Sequence, residues 1–240
     1  FGKPVVFFSL EMSSVQLTNR LISGEAEIEQ EKIRKGQLLD WEWHQLTSKI
    51  GNLSEAPLII DDTPALNVFE FRAKCRRLKA QYDIQMIIID YLQLMSGETT
   101  NKGGTGNREQ EIASISRALK NLAKELNVPV IALSQLSRAV ETRGGDKRPM
   151  LSDLRESGSI EQDADVVILL HRDDMYDSQN RTGEADLIVA KHRNGPTRTI
   201  TVSAQLHYAR FYDMPQNPGG GTDWTQQREA NTAPEDNFGA

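Results

Sequence analysis

The sequence is poor in the residues that build disulfides and thiolate metal sites. Its 240 residues include one cysteine, Cys75, and four histidines. A single thiol excludes a disulfide framework within the chain, and no His or second Cys stands near it at zinc-site spacing. No apolar run approaches about 18 residues, the length that a membrane-spanning helix needs. We therefore expect a cytoplasmic protein with no membrane partner.

A phosphate-binding loop is missing as well. The motif G-x-x-x-x-G-K-[ST] does not occur, and Gly2-Lys3 is followed by Pro4 rather than by Ser or Thr. The sequence has no initiator methionine and starts directly with a strand, residues 4 to 9. Nucleotide-binding α/β domains normally carry a strand, this loop and a helix before such a strand. We therefore interpret the chain as a fragment.

The chain is acidic, with a net charge of -6 and a pI near 5.4. This charge argues against a protein that coats nucleic acid, so any DNA binding must be local. The segment from 137 to 156 has five cations against four anions, a net charge of +1. Without aromatic residues between these charges, it offers contacts to the nucleic-acid backbone at most. By itself, the segment favours a solvated loop.

The periodicity predicts one α/β domain in which strands alternate with helices. Apolar runs at 4–9, 57–62, 85–90, 128–135 and 165–170 are typical of strands, and those at 4–9, 85–90 and 128–135 are typical of buried ones. The helix from 108 to 126 has apolar residues every three or four positions. From Glu184 the pattern changes to alternation around Asn194-Gly195, which predicts a hairpin. We expect a RecA-like, mostly parallel, helix-covered sheet with a C-terminal antiparallel β-hairpin over residues 1–213. Residues 214–240 are predicted to be a disordered tail.

Acidic residues end three of the predicted strands. Asp90 follows three isoleucines, which is a suitable place for a carboxylate that holds Mg²⁺ through water beside a nucleotide phosphate, although a helix or turn cap remains an alternative. Glu11 lies in a short turn that has little structural need for an acid, so we interpret it as catalytic. For Asp61 and Asp62, which precede Thr63-Pro64, a structural role in a turn is favoured.

Other polar residues lie near predicted strand and hairpin ends. The Gln135 amide is placed to contact a γ-phosphate, or alternatively to bond the backbone. Lys191 and Arg193 project from one face of a strand, either as a phosphate clamp that reaches across a subunit interface or as charges that protect an exposed edge. His192 points the other way and is interpreted as solvent-facing or structural.

Eight motifs in collinear order resemble the C-terminal motor domain of the DnaB family of bacterial replicative helicases. The resemblance covers residues 1–213 and includes long, specific motifs. The motifs are SLEM (9–12), RKGQL (34–38), LSEAPLIIDDTP (53–64), RAKCRRLK (72–79), IIIDYLQLM (87–95), VPVIALSQLSRAVE (128–141), SDLRESGSIEQDADVV (152–167) and AKHRNGPT (190–197).

The resemblance implies roles for individual residues of an ATP and Mg²⁺ site. Glu11 matches the glutamate that activates water, Asp90 the Walker B aspartate, and Gln135 the γ-phosphate sensor. Lys191 and Arg193 match the lysine and arginine finger that reach a neighbouring subunit's ATP. Two further matches are Arg20, near the adenine, and the DNA-contacting loop with Arg155, Glu156 and Gly158.

The resemblance also implies an ATP-driven 5′-to-3′ helicase that unwinds the replication fork as a homo-hexameric ring around single-stranded DNA. It implies a cytoplasmic, nucleoid-associated protein of the primosome, with primase, a helicase loader and other replisome proteins as partners. The family's Walker A segment has no match here, so we expect the fragment to be inactive alone. Two alternatives stay open: an ATP-binding switch or recombinase without unwinding activity, and a remnant that only binds partners.

Overall fold

A four-stranded parallel sheet forms the centre of the amino-terminal part of the protein. The computed structural model describes residues 2–97, 106–154 and 158–214. The strands lie in the order β2-β1-β3-β4, which places β1 and β3 in the middle. The inward residues of these two central strands, Val6, Phe8, Ile87 and Ile89, are fully buried and are β-branched or aromatic, as expected of strands inside a parallel sheet. The strands are β1 (Val5–Ser9), β2 (Leu58–Asp61), β3 (Met86–Asp90) and β4 (Val130–Ala132).

Helices connect these strands, and two of them begin with side-chain caps. Ser13 and Gln16 form a capping box before α1, and the Asn67 side chain accepts a hydrogen bond from the Glu70 N–H at 2.9 Å before α4. Among the described residues, no helix is long and apolar enough to cross a membrane. The helices are α1 (Ser14–Ala26), α2 (Gln30–Lys35), α3 (Asp40–Ser54), α4 (Val68–Tyr82), α5 (Gly106–Leu126), α6 (Ala139–Thr142) and α7 (Gly158–Asp163).

A second, antiparallel sheet follows α7. Its strands pair in sequence order, and the hairpin predicted around Asn194-Gly195 connects the second to the third. The fold class is confirmed, but the prediction that residues 165–170 join the parallel sheet is wrong. That strand pairs antiparallel with the next one, because a chain that returns without a crossover helix lies antiparallel to the strand it left. The strands are β5 (Val166–His171), β6 (Glu184–His192), β7 (Arg198–Gln205) and β8 (Arg210–Asp213).

The outer strands β4 and β5 both expose apolar side chains. Residues 128–135 were predicted to be a buried strand, but Ile131 and Leu133 are 45% and 46% exposed. In β5, Ile168 and Leu170 are half exposed. Each strand is the last one of its sheet and has no neighbour on its outer side among the described residues. The interpretation of 128–135 as a buried strand is therefore corrected to an edge strand.

One hydrophobic core joins the inward faces of β1 and β3 to α4 and α5. Phe8 of β1 meets Phe71 of α4 in an edge-to-face pair whose ring centroids are 4.8 Å apart. The single thiol, Cys75, is buried in the same core, and burial raises its pKa to about 12. A buried thiol that stays protonated is chemically inert, so Cys75 acts as a packing residue.

Replacing Phe71 is expected to destabilise the domain strongly. Phe71→Ala would remove a fully buried ring and its aromatic partner contact, which costs about 3–5 kcal/mol of unfolding free energy. Phe69→Ala, two residues away on the same helix, is the matched control because Phe69 is 57% exposed. Urea unfolding followed by circular dichroism measures both variants. Equal midpoints for the two would contradict the packing assigned to Phe71.

Candidate functional site

The carboxyl ends of β1 and β3 lie side by side. Ser9 is paired in register with Asp90, and the Leu10 N–H donates to the Asp90 carbonyl oxygen at 2.8 Å. The buried Ser9 hydroxyl donates to the Met12 carbonyl at 2.7 Å, which holds the turn between β1 and α1. Glu11 is exposed in this turn, one residue beyond the last contact with β3. The two predicted carboxylates therefore lie at the same edge of the sheet, where α/β folds bind ligands.

Electrostatics ties Glu11 and Arg20 to Asp90. Burial raises the pKa of Asp90, and the negative charge of Glu11 raises it further, whereas the guanidinium of Arg20 on α1 lowers it. The charges of Glu11 and Arg20, from different parts of the sequence, thus both act on Asp90. The carboxylate pair carries unfavourable charge repulsion that a cation would relieve.

The pair of carboxylates, Glu11 and Asp90, fits a Mg²⁺ ion whose ligands are mainly water molecules and phosphate oxygens. In the part of the chain that the structure describes, no cluster of three or more His, Cys, Asp or Glu side chains could hold a metal. Mg²⁺ beside a nucleotide usually keeps several waters and takes one or two carboxylates together with phosphate oxygens. Asp90 is the residue that would hold it, through water, because its half-buried carboxylate faces the charge of a second acid.

Gln93, a residue not predicted from the sequence, links the turn after Asp90 to the predicted sensor Gln135. Gln93 follows β3 in a short 3-10 turn. Its amide nitrogen donates to the Ser134 hydroxyl at 2.9 Å, and its amide oxygen accepts from the Gln135 N–H at 3.2 Å. A movement of Gln135 would therefore reach the turn after Asp90 directly. The only sequence signal for Gln93 was its position inside the motif IIIDYLQLM.

The structure assigns Asp61 and Asp62 to structural contacts, as predicted. The Asp61 carboxylate pairs with the Lys74 ammonium at 2.5 Å and accepts from the Thr63 N–H. The Asp62 carboxylate accepts from the Ser14 N–H at 2.8 Å, at the first turn of α1. Both acids are used in holding the fold.

Lys191 lies near the end of β6, whereas Arg193, which was predicted to lie on the same strand, is in the turn that follows it. Both side chains contact the end of α7. The Lys191 ammonium donates to the Glu161 and Gln162 carbonyls, and the Arg193 guanidinium donates to the Gln162 carbonyl at 3.2 Å. Within the described ranges, no hydrogen bond or ion pair connects either cation to Glu11 or Asp90. Both side chains therefore point to the same side, toward α7, as their spacing of two residues predicted. His192 is exposed, in agreement with the solvent-facing interpretation.

The predicted DNA loop is described only in part. Arg155 and Glu156 lie outside the described residues, as does the predicted tail beyond Met214. Gly158 is the first residue of α7, and a Cβ built on it would meet nothing within 4 Å.

The interpretation of 137–156 as a solvated loop is wrong for two of its arginines. Arg143 pairs with the buried carboxylate of Asp153, and Arg148 pairs with the buried carboxylate of Asp186 at 2.9 Å. The segment is therefore fastened to the rest of the fold where the composition suggested a free loop.

Comparison with known proteins places this fold among RecA-like helicase domains and, more closely, within one family. The family model described as DnaB-like helicase C terminal domain matches residues 1–213. The chain belongs to this family. It is 56% identical over 212 residues to the replicative DNA helicase DnaB of Leifsonia xyli subsp. xyli (strain CTCB07), and the match covers 88% of this chain and 45% of that protein. The chain thus spans about half the length of this relative.

Two solved structures are also similar. One is a DnaB-like replicative helicase described with its interactions with primase; the TM-score is 0.82 at 40% identity, covering 88% of this chain and 51% of that one. The other is described as an ATPase domain, with the same TM-score and identity, covering 88% of this chain and 75% of that one.

Proposed function

We propose that residues 1–213 are the motor domain, without its Walker A segment, of an ATP-hydrolysing replicative DNA helicase. The observation that carries the proposal is the meeting of Glu11, Arg20 and Asp90 at one edge of the sheet, with Gln93 connecting this edge to Gln135. The family membership and the named activities of the relatives, replicative helicase and ATPase domain, support it. Residues 214–240 would form a tail outside this domain.

The site would hydrolyse ATP by activating a water molecule. Glu11 is exposed and close enough to influence Asp90, so it would orient the attacking water and accept its proton. Asp90 would hold a hydrated Mg²⁺, which supplies charge neutralisation at the phosphates when bound. Gln135 would hydrogen-bond the γ-phosphate. When the γ-phosphate is released, Gln135 would shift and, through its hydrogen bond, move the turn at Gln93. Arg20 would lie beside the adenine end of the nucleotide.

The remaining cations would act between subunits of a homo-hexameric ring. Lys191 and the adjacent turn with Arg193 belong to the second sheet region, whereas Glu11 and Asp90 lie at the end of the first sheet, which suits cations that complete the site of a neighbouring subunit. Arg155, Glu156 and Gly158 would contact the backbone of single-stranded DNA in the channel. Six copies of a loop with little charge can together bind DNA that one copy cannot hold.

We further propose movement in the 5′-to-3′ direction at the replication fork, in the cytoplasm and at the nucleoid. Primase is the best-supported protein partner, because a similar solved structure describes a DnaB-like helicase with primase interactions. A helicase loader and other proteins of the primosome and replisome are the further partners that this role implies.

The 240-residue chain by itself is expected to hydrolyse ATP at least about 10²-fold more slowly than a form that carries an upstream phosphate loop. The sequence has no G-x-x-x-x-G-K-[ST], so the β- and γ-phosphates would lack both the backbone cradle and the lysine. A coupled phosphate-release assay on the chain and on the full-length protein tests this. Similar turnover by the two would show that the site needs no such loop.

A tailed-duplex assay separates the proposed motor from the second candidate, a RecA-fold switch or recombinase. The full-length protein should unwind a forked duplex with a 5′ tail when ATP is present, and should not do so with a non-hydrolysable analogue. Filament formation or strand exchange without unwinding would instead identify the switch or recombinase.

A further inference from the structure

A buried carboxylate on β6 binds two arginines that come from different parts of the chain. Asp186 is 2% exposed. Its two oxygens accept hydrogen bonds from Arg181 and Thr201 at 2.8 Å and from Arg148 at 2.9 Å. The Arg181 guanidinium holds the pKa of Asp186 well below its usual range, so the carboxylate stays charged. Arg181 and Thr201 belong to the same sheet region as Asp186, but Arg148 comes from 38 residues earlier in the sequence.

Arg148 belongs to residues 136–154, which we call the clamp segment. The Arg148 guanidinium also donates to the Thr199 hydroxyl on β7 at 3.3 Å, so it bridges two strands of the second sheet. The Arg148 carbonyl accepts from Arg143, and Arg143 in turn pairs with the buried Asp153. A continuous set of charged contacts therefore runs from β6 through the clamp segment.

The clamp segment begins at the proposed nucleotide sensor. Leu136, directly after Gln135, forms a β-bridge with Leu154, and the Ser137 N–H donates to the Asp153 carbonyl at 2.8 Å. The two ends of the segment are thereby joined to each other. The segment leads in sequence to Arg155 and Glu156, which we propose to contact DNA.

The same strand, β6, is attached at its other end to α7. Lys191 and Arg193 donate to the carbonyls of Glu161 and Gln162, near the carboxyl end of that helix. Asp186 and Lys191 lie on one continuous β-strand. The clamp segment and α7 lie before and after Arg155 and Glu156 in the sequence. Both are therefore bonded to β6 or to the residue that follows it, the region of the proposed interface cations.

We propose that Arg148 and Asp186 are positioning residues that couple DNA binding in one subunit to ATP hydrolysis in its neighbour. They do so because their ion pair joins the clamp segment to β6, the strand that carries Lys191 and leads directly to Arg193. This inference rests on the proposed function. DNA that moves the clamp segment displaces β6 through the Arg148–Asp186 pair, and β6 moves the two cations at the adjacent nucleotide. Neither residue touches nucleotide or DNA itself.

The pair can be broken without leaving a buried charge alone. Removing Arg148 leaves Asp186 with Arg181 and Thr201. Removing Asp186 would instead take away the carboxylate partner of Arg148 and one of the three carboxylate partners of Arg181. Arg148→Gln in the full-length protein is therefore the informative variant. Arg76→Gln is the control, because Arg76 forms a close two-bond pair with Glu125, at 2.5 and 2.9 Å, which joins α4 to α5 outside this network.

Arg148→Gln is expected to lower the stimulation of ATP hydrolysis by single-stranded DNA by about fivefold or more. The rate without DNA, the affinity for single-stranded DNA and the KM for ATP should stay near those of the unsubstituted protein, as should the melting temperature. Arg148→Lys keeps one charged donor and should restore part of the stimulation. Arg76→Gln should leave the stimulation unchanged.

Two outcomes would overturn the inference. Full stimulation in Arg148→Gln would show that the pair transmits nothing, and parallel loss of basal rate, DNA affinity and melting temperature would show a merely structural role. An unsubstituted full-length protein without DNA-stimulated ATP hydrolysis would instead refute the proposed function. The two failures are therefore distinguishable in one experiment.

Discussion

Glu11→Gln in the full-length protein is expected to lower the ATP hydrolysis rate by about 10²- to 10⁴-fold, the usual contribution of a positioned general base. The amide keeps the size of the side chain but accepts a proton poorly. ATP binding should persist, because the substitution also removes the negative charge that raises the pKa of Asp90. Steady-state phosphate release gives the rate, and a fluorescent ATP analogue gives the affinity.

The control for Glu11 is Glu55→Gln. Glu55 is an exposed acid at the end of α3, just before β2 begins, so it lies toward the opposite edge of the parallel sheet. The same chemical change there should leave hydrolysis unaltered. A normal rate in Glu11→Gln, or an equal loss in both variants, would remove Glu11 from the proposed catalytic role.

Arg193→Ala is expected to lower hydrolysis by about 10³-fold if Arg193 acts as an arginine finger. In the single chain this guanidinium donates to the Gln162 carbonyl and pairs with Asp165 at 3.2 Å, both on the surface of the second sheet and its flanking helix. These exposed contacts contribute little to stability. The melting temperature of the variant should therefore change little while its hydrolysis rate collapses.

Mixing the two inactive variants tests whether Arg193 acts across an interface. A site formed by an Arg193→Ala subunit and the finger of a Glu11→Gln neighbour contains both intact groups. Rings assembled from equal amounts of each variant should recover about a quarter of the normal rate if sites act independently and subunits mix at random. No recovery in rings shown to be mixed would mean that Arg193 serves the site of its own subunit. Each variant assayed alone provides the baseline.

Local signals accounted for much of this fold. The apolar repeat of α5 and the Asn194-Gly195 turn appear where the sequence predicted them. Each depends on residues within a few positions of one another, which is the range over which backbone geometry and side-chain periodicity act. Glu11 and Asp90 could be predicted for the same reason, because a charged residue directly after a buried apolar strand is unusual and is visible in a few residues of sequence.

Contacts between distant segments escaped the sequence analysis. Gln93 meets Ser134 across 41 residues, and Arg148 meets Asp186 across 38. Nothing near Gln93 or Arg148 in the sequence marks its partner. The edge position of β4 was missed because an apolar run does not say how many neighbours a strand has.

The sequence by itself therefore determined the α/β class, the family and the identity of the acids that end the strands, because these follow from local periodicity and from long specific motifs. Only the tertiary structure decided which side chains share an environment. It brought Glu11 and Arg20 to bear on Asp90, and it placed Arg148 on a buried carboxylate instead of in solvent. Coulombic and hydrogen-bond energies depend on distance in space and on burial, and neither quantity is set by position along the chain.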